Sequence, residues 1–396
     1  MIEELKKEIR TPEADEEKIR SAVKHFESLL REQLKRRDDM ASARPPRNFL
    51  DGRPVTIGVI DGDGIGPIIM REAERVLRFL LRDEMNAGTV ILRRIEGLTL
   101  ENRTAKGQAV PDDVLAAVKA CDVLLKGPTT TPKGGTLESA NVVLRRSLDL
   151  FANVRPVVVP EEGVDWIFFR ENTEGEYALG SRGIAFDDIL TADFKVTTDT
   201  GTRRIARAAF EYARQNGKKN VAIVTKANIL KKTDGMFSRI AHEVASQYPE
   251  IEAEDWYVDI MAANLVNPAV RSKFQVFLLP NLYGDILTDE AAQIQGGVGT
   301  AGSSNTGDHY AMFEAIHGSA PRKIAAGEGA YANPASILRA TEMLLRHIGR
   351  IAEADHLNRA MNVCLEEERR VVVTGHADGA TCEAFGDYLL EKLAVE

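Results

Sequence analysis

The spacing of apolar residues changes character near residue 54. Before it, Ile19, Val23, Phe26, Leu30 and Leu34 recur at helical intervals among charged neighbours. That predicts one or two amphipathic helices over residues 1–40, packing on the chain's own body or on a partner subunit. Ala43-Arg44-Pro45-Pro46-Arg47 then breaks the pattern, because proline fixes φ and removes a donor. From Val55-Thr56-Ile57-Gly58-Val59-Ile60 onward, short β-rich runs alternate with helical stretches. Strands are expected at 55–60, 122–126, 154–159, 165–169, 221–225 and 275–279, and helices from about Pro67 to Leu81 and near 111–120, 136–149, 202–216 and 233–248. Such alternation predicts an α/β protein with a substantially parallel sheet.

Composition narrows the partners. The 396 residues are 44% hydrophobic and 28% charged, enough for a sizeable core, and the formal net charge of -9 argues against general nucleic-acid binding. A small acidic ligand in a local basic pocket is compatible with that balance. Cys121, Cys364 and Cys382 form no CxxC pair and have no histidine cluster beside them, so no disulfide framework or zinc site is signalled and a cytoplasmic setting is expected. No apolar run reaches the roughly 18 residues of a membrane span, and the Glu- and Asp-rich N-terminus has neither secretory nor transit character.

Three segments carry candidate chemistry. Asp61-Gly62-Asp63-Gly64-Ile65-Gly66-Pro67 lies between a strand and a helix, but its glycines are spaced more tightly than in a dinucleotide loop, so it reads as a tight turn. The Thr- and Gly-rich loop after Lys126 offers hydroxyls and amides. The helix after it is expected to carry Ser139, Asn141 and Arg145 near its start, an arrangement suited to an anion. Arg155 and Arg170 stand near other segment ends; three such guanidinium groups can clamp several carboxylates, although each alone would read as a surface ion pair. In Asn281-Leu282-Tyr283-Gly284-Asp285-Ile286-Leu287-Thr288-Asp289, a helix beginning near Gly284 puts Asp285 and Asp289 at i and i+4, able to share a hard divalent cation, with Asp259 as a third candidate. Lys226 follows a strand, where α/β proteins place functional groups, and a lysine beside a metal-bound hydroxyl can serve as a general base.

Together these segments resemble the metal-dependent β-decarboxylating dehydrogenases, the isocitrate/isopropylmalate dehydrogenase family, most specifically over Ser139–Pro156, Arg170–Tyr177, Asn281–Asp289 and His317–Pro334. The resemblance runs from about residue 54 to the C-terminus. It implies a two-lobed α/β fold with a non-Rossmann cofactor site: a helical extension over 1–50, a large cofactor-binding domain from 51–150 and 297–396, and a small dimerisation domain over 151–296. It implies Arg145, Arg155 and Arg170 on the substrate carboxylates and Asp259, Asp285 and Asp289 on Mg²⁺ or Mn²⁺. It further implies Lys226 assisting proton removal and Tyr177 protonating the enol. In the family the lysine and one aspartate come from the partner subunit, so a homodimer or higher homo-oligomer with shared sites is expected.

For the cofactor, NAD or NADP, the resemblance implies Thr130, Thr131, Asn228, Glu314, His317, Gly318, Ser319, Ala320, Arg322 and Asn333. Arg322 occupies a place where NAD-using relatives commonly carry an aspartate; a base there attracts a 2′-phosphate and modestly favours NADP. Ser139 and Asn141 match the isocitrate pattern, while Glu138 resembles the isopropylmalate enzymes. Isocitrate converted to 2-oxoglutarate is the leading expectation. Isopropylmalate, homoisocitrate or a tartrate-type acid is the alternative, and a catalytically silent regulatory subunit is an alternative of another class.

Overall fold

The computed structural model describes residues 12–41, 47–132, 137–180, 182–186, 189–297 and 301–395. The proline break at 43–46 and residues 133–136 of the Thr- and Gly-rich loop lie outside them.

Ten strands form one sheet in the order β2-β1-β3-β12-β11-β4-β5-β10-β8-β9. They are β1 (Val55–Ile60), β2 (Val90–Arg94), β3 (Val123–Lys126), β4 (Ala152–Val159), β5 (Val164–Glu171), β8 (Asn220–Thr225), β9 (Glu252–Tyr257), β10 (Val276–Leu279), β11 (Gly302–Thr306) and β12 (Ala311–Ala315). The short strands β6 (Ile184–Phe186) and β7 (Leu190–Ala192) make a separate antiparallel hairpin. Both ends of the large sheet are parallel, as the alternating pattern predicts. The centre is not: β4 runs antiparallel to β5 and to β11, and β11 antiparallel to β12. The polar strand β11, Gly-Ser-Ser-Asn-Thr, is fully paired although it lacks the apolar signature of a strand.

Buried apolar clusters line the sheet. One joins β1, β3 and β12 to α2 (Gly66–Leu80) and the helices Ala335–His347 and Cys382–Val395. Two others cover opposite faces of β5, β8 and β10. No helix among the described residues is long and apolar enough to cross a membrane.

The N-terminal segment is a single helix, α1 (Pro12–Ala41), packed against the helix Asp199–Gln215. Within the single chain, the apolar stripe Ile19, Val23, Phe26, Leu30 and Leu34 is exposed, whereas Leu29, Gln33 and Met40 are buried, so the helix packs on its own body through a different face. Polar anchors orient the helix differently from its most apolar stripe. His25 Nε2 lies 2.9 Å from the Arg182 carbonyl, Arg182 pairs with Glu32 at 2.7 Å, and Phe26 stacks on Phe194 with ring centroids 4.9 Å apart.

Candidate active site

The site is assembled at the carboxyl ends of the strands, where open α/β sheets bind their ligands. The β3–β12 register sets Lys126 opposite Glu314, and the two form a buried ion pair at 3.1 Å. Glu314 also accepts from Arg145 at 3.2 Å and from Asn305 at 2.9 Å. Burial alone would raise its carboxyl, but Lys126 and Arg145 outweigh burial and bring it down to about 2. Glu314, expected on the cofactor, also pairs with the first arginine. Arg145 itself is in the last turn of the helix Ala140–Ser147, not near its start, because that helix is only two turns long.

Arg170, at the end of β5, is fastened by the helix Asn281–Ile294. Its Nε donates to the Asn281 carbonyl at 2.8 Å, its Nη2 to Asn281 Oδ1 at 2.7 Å, and its Nη1 to Asp285 Oδ1 at 2.5 Å. That helix begins at Asn281, three residues before the expected start at Gly284. Gly284 leaves room for the Arg170 side chain, since a Cβ there would collide with its methylenes. Arg155 donates to Thr288 Oγ1 at 2.6 Å and to Asp289 at 3.1 Å, and Tyr177 donates its hydroxyl to Asp285 Oδ2 at 2.7 Å.

Crowding of like charges marks this as a place for anions. Burial, then repulsion from Arg145, lowers Arg155 and brings Arg170 down to about 10. Buried Nε atoms of Arg145 and Arg155 have no partner among the described residues. Asp285 is held below the ordinary carboxylate value, because Arg170, Tyr177 and the other two arginines overcome its burial. Burial, reinforced by the bond to Asp285, pushes the Tyr177 phenol upward.

Lys226 and Asp259 pair with each other at 2.5 Å. No hydrogen bond or ion pair among the described residues joins either side chain to Tyr177, Asp285 or Asp289. No cluster of three or more His, Cys, Asp and Glu suited to a metal occurs among those residues. The trio Asp259, Asp285 and Asp289 is thus not gathered within one chain. Asp285 and Asp289 do share a helix face, and their oxygens are hard donors of the kind Mg²⁺ and Mn²⁺ take. The Lys226 backbone is anchored by buried Asp234, which accepts its N–H at 2.8 Å and pairs with Lys195 at 2.6 Å.

On the cofactor side, Thr130 Oγ1 and Ser319 Oγ lie 2.6 Å apart. The turn at 61–67 adjoins them: Asp63 accepts from the Thr130 N–H at 2.8 Å, and Ile65 donates its N–H to the Ser319 carbonyl at 3.0 Å. Gly62 and Gly64 have positive φ, and Gly64 lets the backbone of Ser319 approach. The turn and the 317–322 loop are thus one locality rather than rival sites. Ala320 is also left-handed, with φ 46°. His317, with Nδ1 3.0 Å from the Gly318 carbonyl, is lowered by burial. Asn333 accepts the Ala335 N–H at 2.9 Å. Thr131 and Gly318 lie in irregular chain, and Asn228 lies in the exposed turn after Lys226. Arg322 is exposed and unpaired among the described residues, whereas Lys323 donates to the Gly375 carbonyl.

Lys126, Asn281, Thr288, Asp234 and Lys195 were not singled out by the sequence reading. The ends of β3 and β10 were signals for Lys126 and Asn281, whereas Asp234 and Lys195 have none, because their partners are remote in sequence.

Comparison with known proteins identifies the family and the fold. The isocitrate/isopropylmalate dehydrogenase family matches residues 56–389. Isocitrate dehydrogenase (NADP) of Rickettsia prowazekii is 39% identical over 324 residues; the match covers 79% of this chain and 63% of the rickettsial protein, less than two thirds of its length. The 3-isopropylmalate dehydrogenase of Methanothermobacter thermautotrophicus is 37% identical, with 80% of this chain and 92% of that protein covered. The crystal structure of isocitrate dehydrogenase from Methylococcus capsulatus superposes with a TM-score of 0.76 at 35% identity, covering 86% of this chain and 99% of that one. The chain belongs to the isocitrate/isopropylmalate dehydrogenase family.

Proposed function

We propose that the protein oxidatively decarboxylates isocitrate to 2-oxoglutarate, with NAD or NADP as hydride acceptor and Mg²⁺ or Mn²⁺ as metal. The observation that carries this reading is the grouping of buried Arg155 and Arg170 with half-buried Arg145, whose charge opposes theirs, around Asp285 and Tyr177. Each arginine is paired here, with Glu314, Asp289 or Asp285; with the two aspartates turned to a cation, carboxylates of a tri-acid would take their place on the guanidinium groups.

Asp285 and Asp289 would hold the metal from one chain, and Asp259 with Lys226 would be supplied by a second copy. When bound, the cation supplies Lewis acidity at the C2 oxygen and the adjoining carboxylate. The nicotinamide, when bound, supplies the hydride acceptor. Lys226 takes the C2 hydroxyl proton. Tyr177 is held protonated at neutral pH by burial and by its bond to Asp285, so it has a proton to deliver to the carbon that loses CO₂. The lobes would be 51–150 with 297–396 and 151–296, with the acid between them.

Isocitrate is favoured over isopropylmalate by two free polar groups. Ser139 sits at the N-cap of its helix yet makes no capping bond. Asn141 uses Oδ1 to accept from Thr129 Oγ1 at 3.1 Å, leaving its amide hydrogens for a carboxylate. Glu138 is turned to Arg146 at 2.8 Å. Exposed, unpaired Arg322 supports NADP. The filled catalytic positions favour an active enzyme over a silent subunit, in the cytoplasm as the cysteine usage suggests.

The test is a four-way steady-state assay of isocitrate and isopropylmalate, each with NAD and NADP, in Mg²⁺. The highest kcat/KM is expected for isocitrate with NADP; brisk turnover of isopropylmalate beside negligible turnover of isocitrate would overturn the choice of acid.

A further inference from the structure

The segment that carries Tyr177 is built on two buried carboxylates. Glu171 Oε2 accepts from the N–H groups of Thr173 at 3.0 Å and Glu174 at 2.6 Å, folding the chain back after β5. Glu174 accepts from the Thr198 N–H at 2.9 Å and Thr198 Oγ1 at 2.5 Å, at the N-terminus of the helix Asp199–Gln215. The Glu174 carbonyl accepts from Asn281 Nδ2 at 3.0 Å, the same Asn281 that fastens Arg170. Glu174 therefore links the tyrosine segment to the arginine clamp.

Two buried anions side by side require compensating cations. Arg204, from the helix Asp199–Gln215, donates to Thr173 Oγ1 at 3.2 Å, but it shares its charge with Asp149, which it meets at 2.5 and 2.7 Å. The other cation comes from α1. Arg36 Nη2 donates to Thr173 Oγ1 at 3.1 Å and lies 3.5 Å from Glu174 Oε1, while its remaining partners, Gln33 and Met40, are neutral. α1 precedes the family-matched region 56–389.

We infer that Arg36 is a positioning residue: by neutralising the Glu171–Glu174 pair it holds the segment 171–177, and so Tyr177, in its working geometry. This rests on the dehydrogenase reading of the site. The helix is then a strap fastened over the catalytic segment.

The pH dependence follows from the charges facing Glu174, namely Glu171, Arg36 and Arg204 with its partner Asp149. Burial and then Glu171 raise the Glu174 carboxyl to about 7 even though Arg36 opposes them. A raised folded value means that stability falls as pH rises from the unfolded value through the folded one. Without Arg36 the folded value rises further, so the variant's extra loss is small where Glu174 is protonated in both proteins and grows above about pH 7.

The experiment compares wild type with Arg36→Met, Arg36→Lys, Glu174→Gln and the double variant Arg36→Met/Glu174→Gln. Melting temperatures are measured at about pH 6 and about pH 8, hydrogen exchange over 171–177 at the higher pH, and kcat and KM with the acid the wild type prefers. Arg36→Met is expected to melt several degrees lower at the higher pH than wild type and much less so at the lower. It should also exchange faster over 171–177 and lose about tenfold in kcat with KM little changed. Glu174→Gln should suppress all three defects, and Arg36→Lys should be intermediate. A defect equal at both pH values and untouched by Glu174→Gln would overturn the inference, as would unchanged exchange and kcat in Arg36→Met. If wild type turned over none of the acids, the dehydrogenase reading would fall, while the exchange and melting results would still decide whether Arg36 holds the segment.

Discussion

The two groups of proposed site residues are built in opposite ways. Around Asp285, Arg170 is 1% exposed, and each side chain is held by at least one other member of the cluster. Around Lys226, Asp259 is 59% exposed and pairs with Lys226, itself half-buried with its Nζ 6.0 Å from the centre of the Tyr257 ring. One end is preorganised by its own chain; the other is preorganised only in its backbone, through Asp234. Under the proposed function, the difference is what two half-sites would show if one were completed within the chain and the other by a second copy.

The comparison is broken most severely by neutralising one carboxylate at each end. Asp285→Asn leaves Arg170 buried among like charges, and breaking such a pair costs toward the lower end of about 3–5 kcal/mol, since Asp285 is itself 39% exposed. Thermal unfolding should show a clear loss of stability together with loss of turnover. Asp259→Asn should abolish turnover just as fully while leaving the melting temperature of the chain unchanged. Equal melting losses at the two ends would remove the distinction between them.

Smaller effects sharpen the preorganised end. Ser139→Leu should move the isocitrate-to-isopropylmalate ratio of kcat/KM toward isopropylmalate by about ten- to a hundredfold, the equivalent of about 1–3 kcal/mol for a polar group exchanged for an apolar one. An unchanged ratio would remove Ser139 from the substrate pocket. Arg322→Asp should raise the KM for NADP by about tenfold, or about 1.4 kcal/mol, with that for NAD little affected. The same shift for both cofactors would mean that Arg322 does not meet a 2′-phosphate.

Much of this was legible from local pattern. Strand ends placed Arg170 and Lys226, and the i,i+4 spacing placed Asp285 and Asp289 on one face. What escaped depends on partners distant in sequence. Glu314 meets Lys126 through sheet register across nearly two hundred residues, and no short motif encodes that. On α1 the most apolar stripe is exposed in the single chain, and the packing that is seen follows Glu32 and Arg36 reaching partners at Arg182 and Glu174 instead. Strand β11 was invisible because burial by polar network, Asn153 to Asn305 to Glu314, replaces the apolar alternation that marks ordinary strands.

The claim of two half-sites is tested most directly by complementation between Tyr177→Phe and Lys226→Met, each inactive alone. Mixed and allowed to exchange subunits, they should regain up to about a quarter of wild-type activity, because in a symmetric dimer half of the molecules are heterodimers with one intact site of two. No recovery, with subunit exchange shown to occur, would mean that Tyr177 and Lys226 serve the same site from the same chain and would contradict the account.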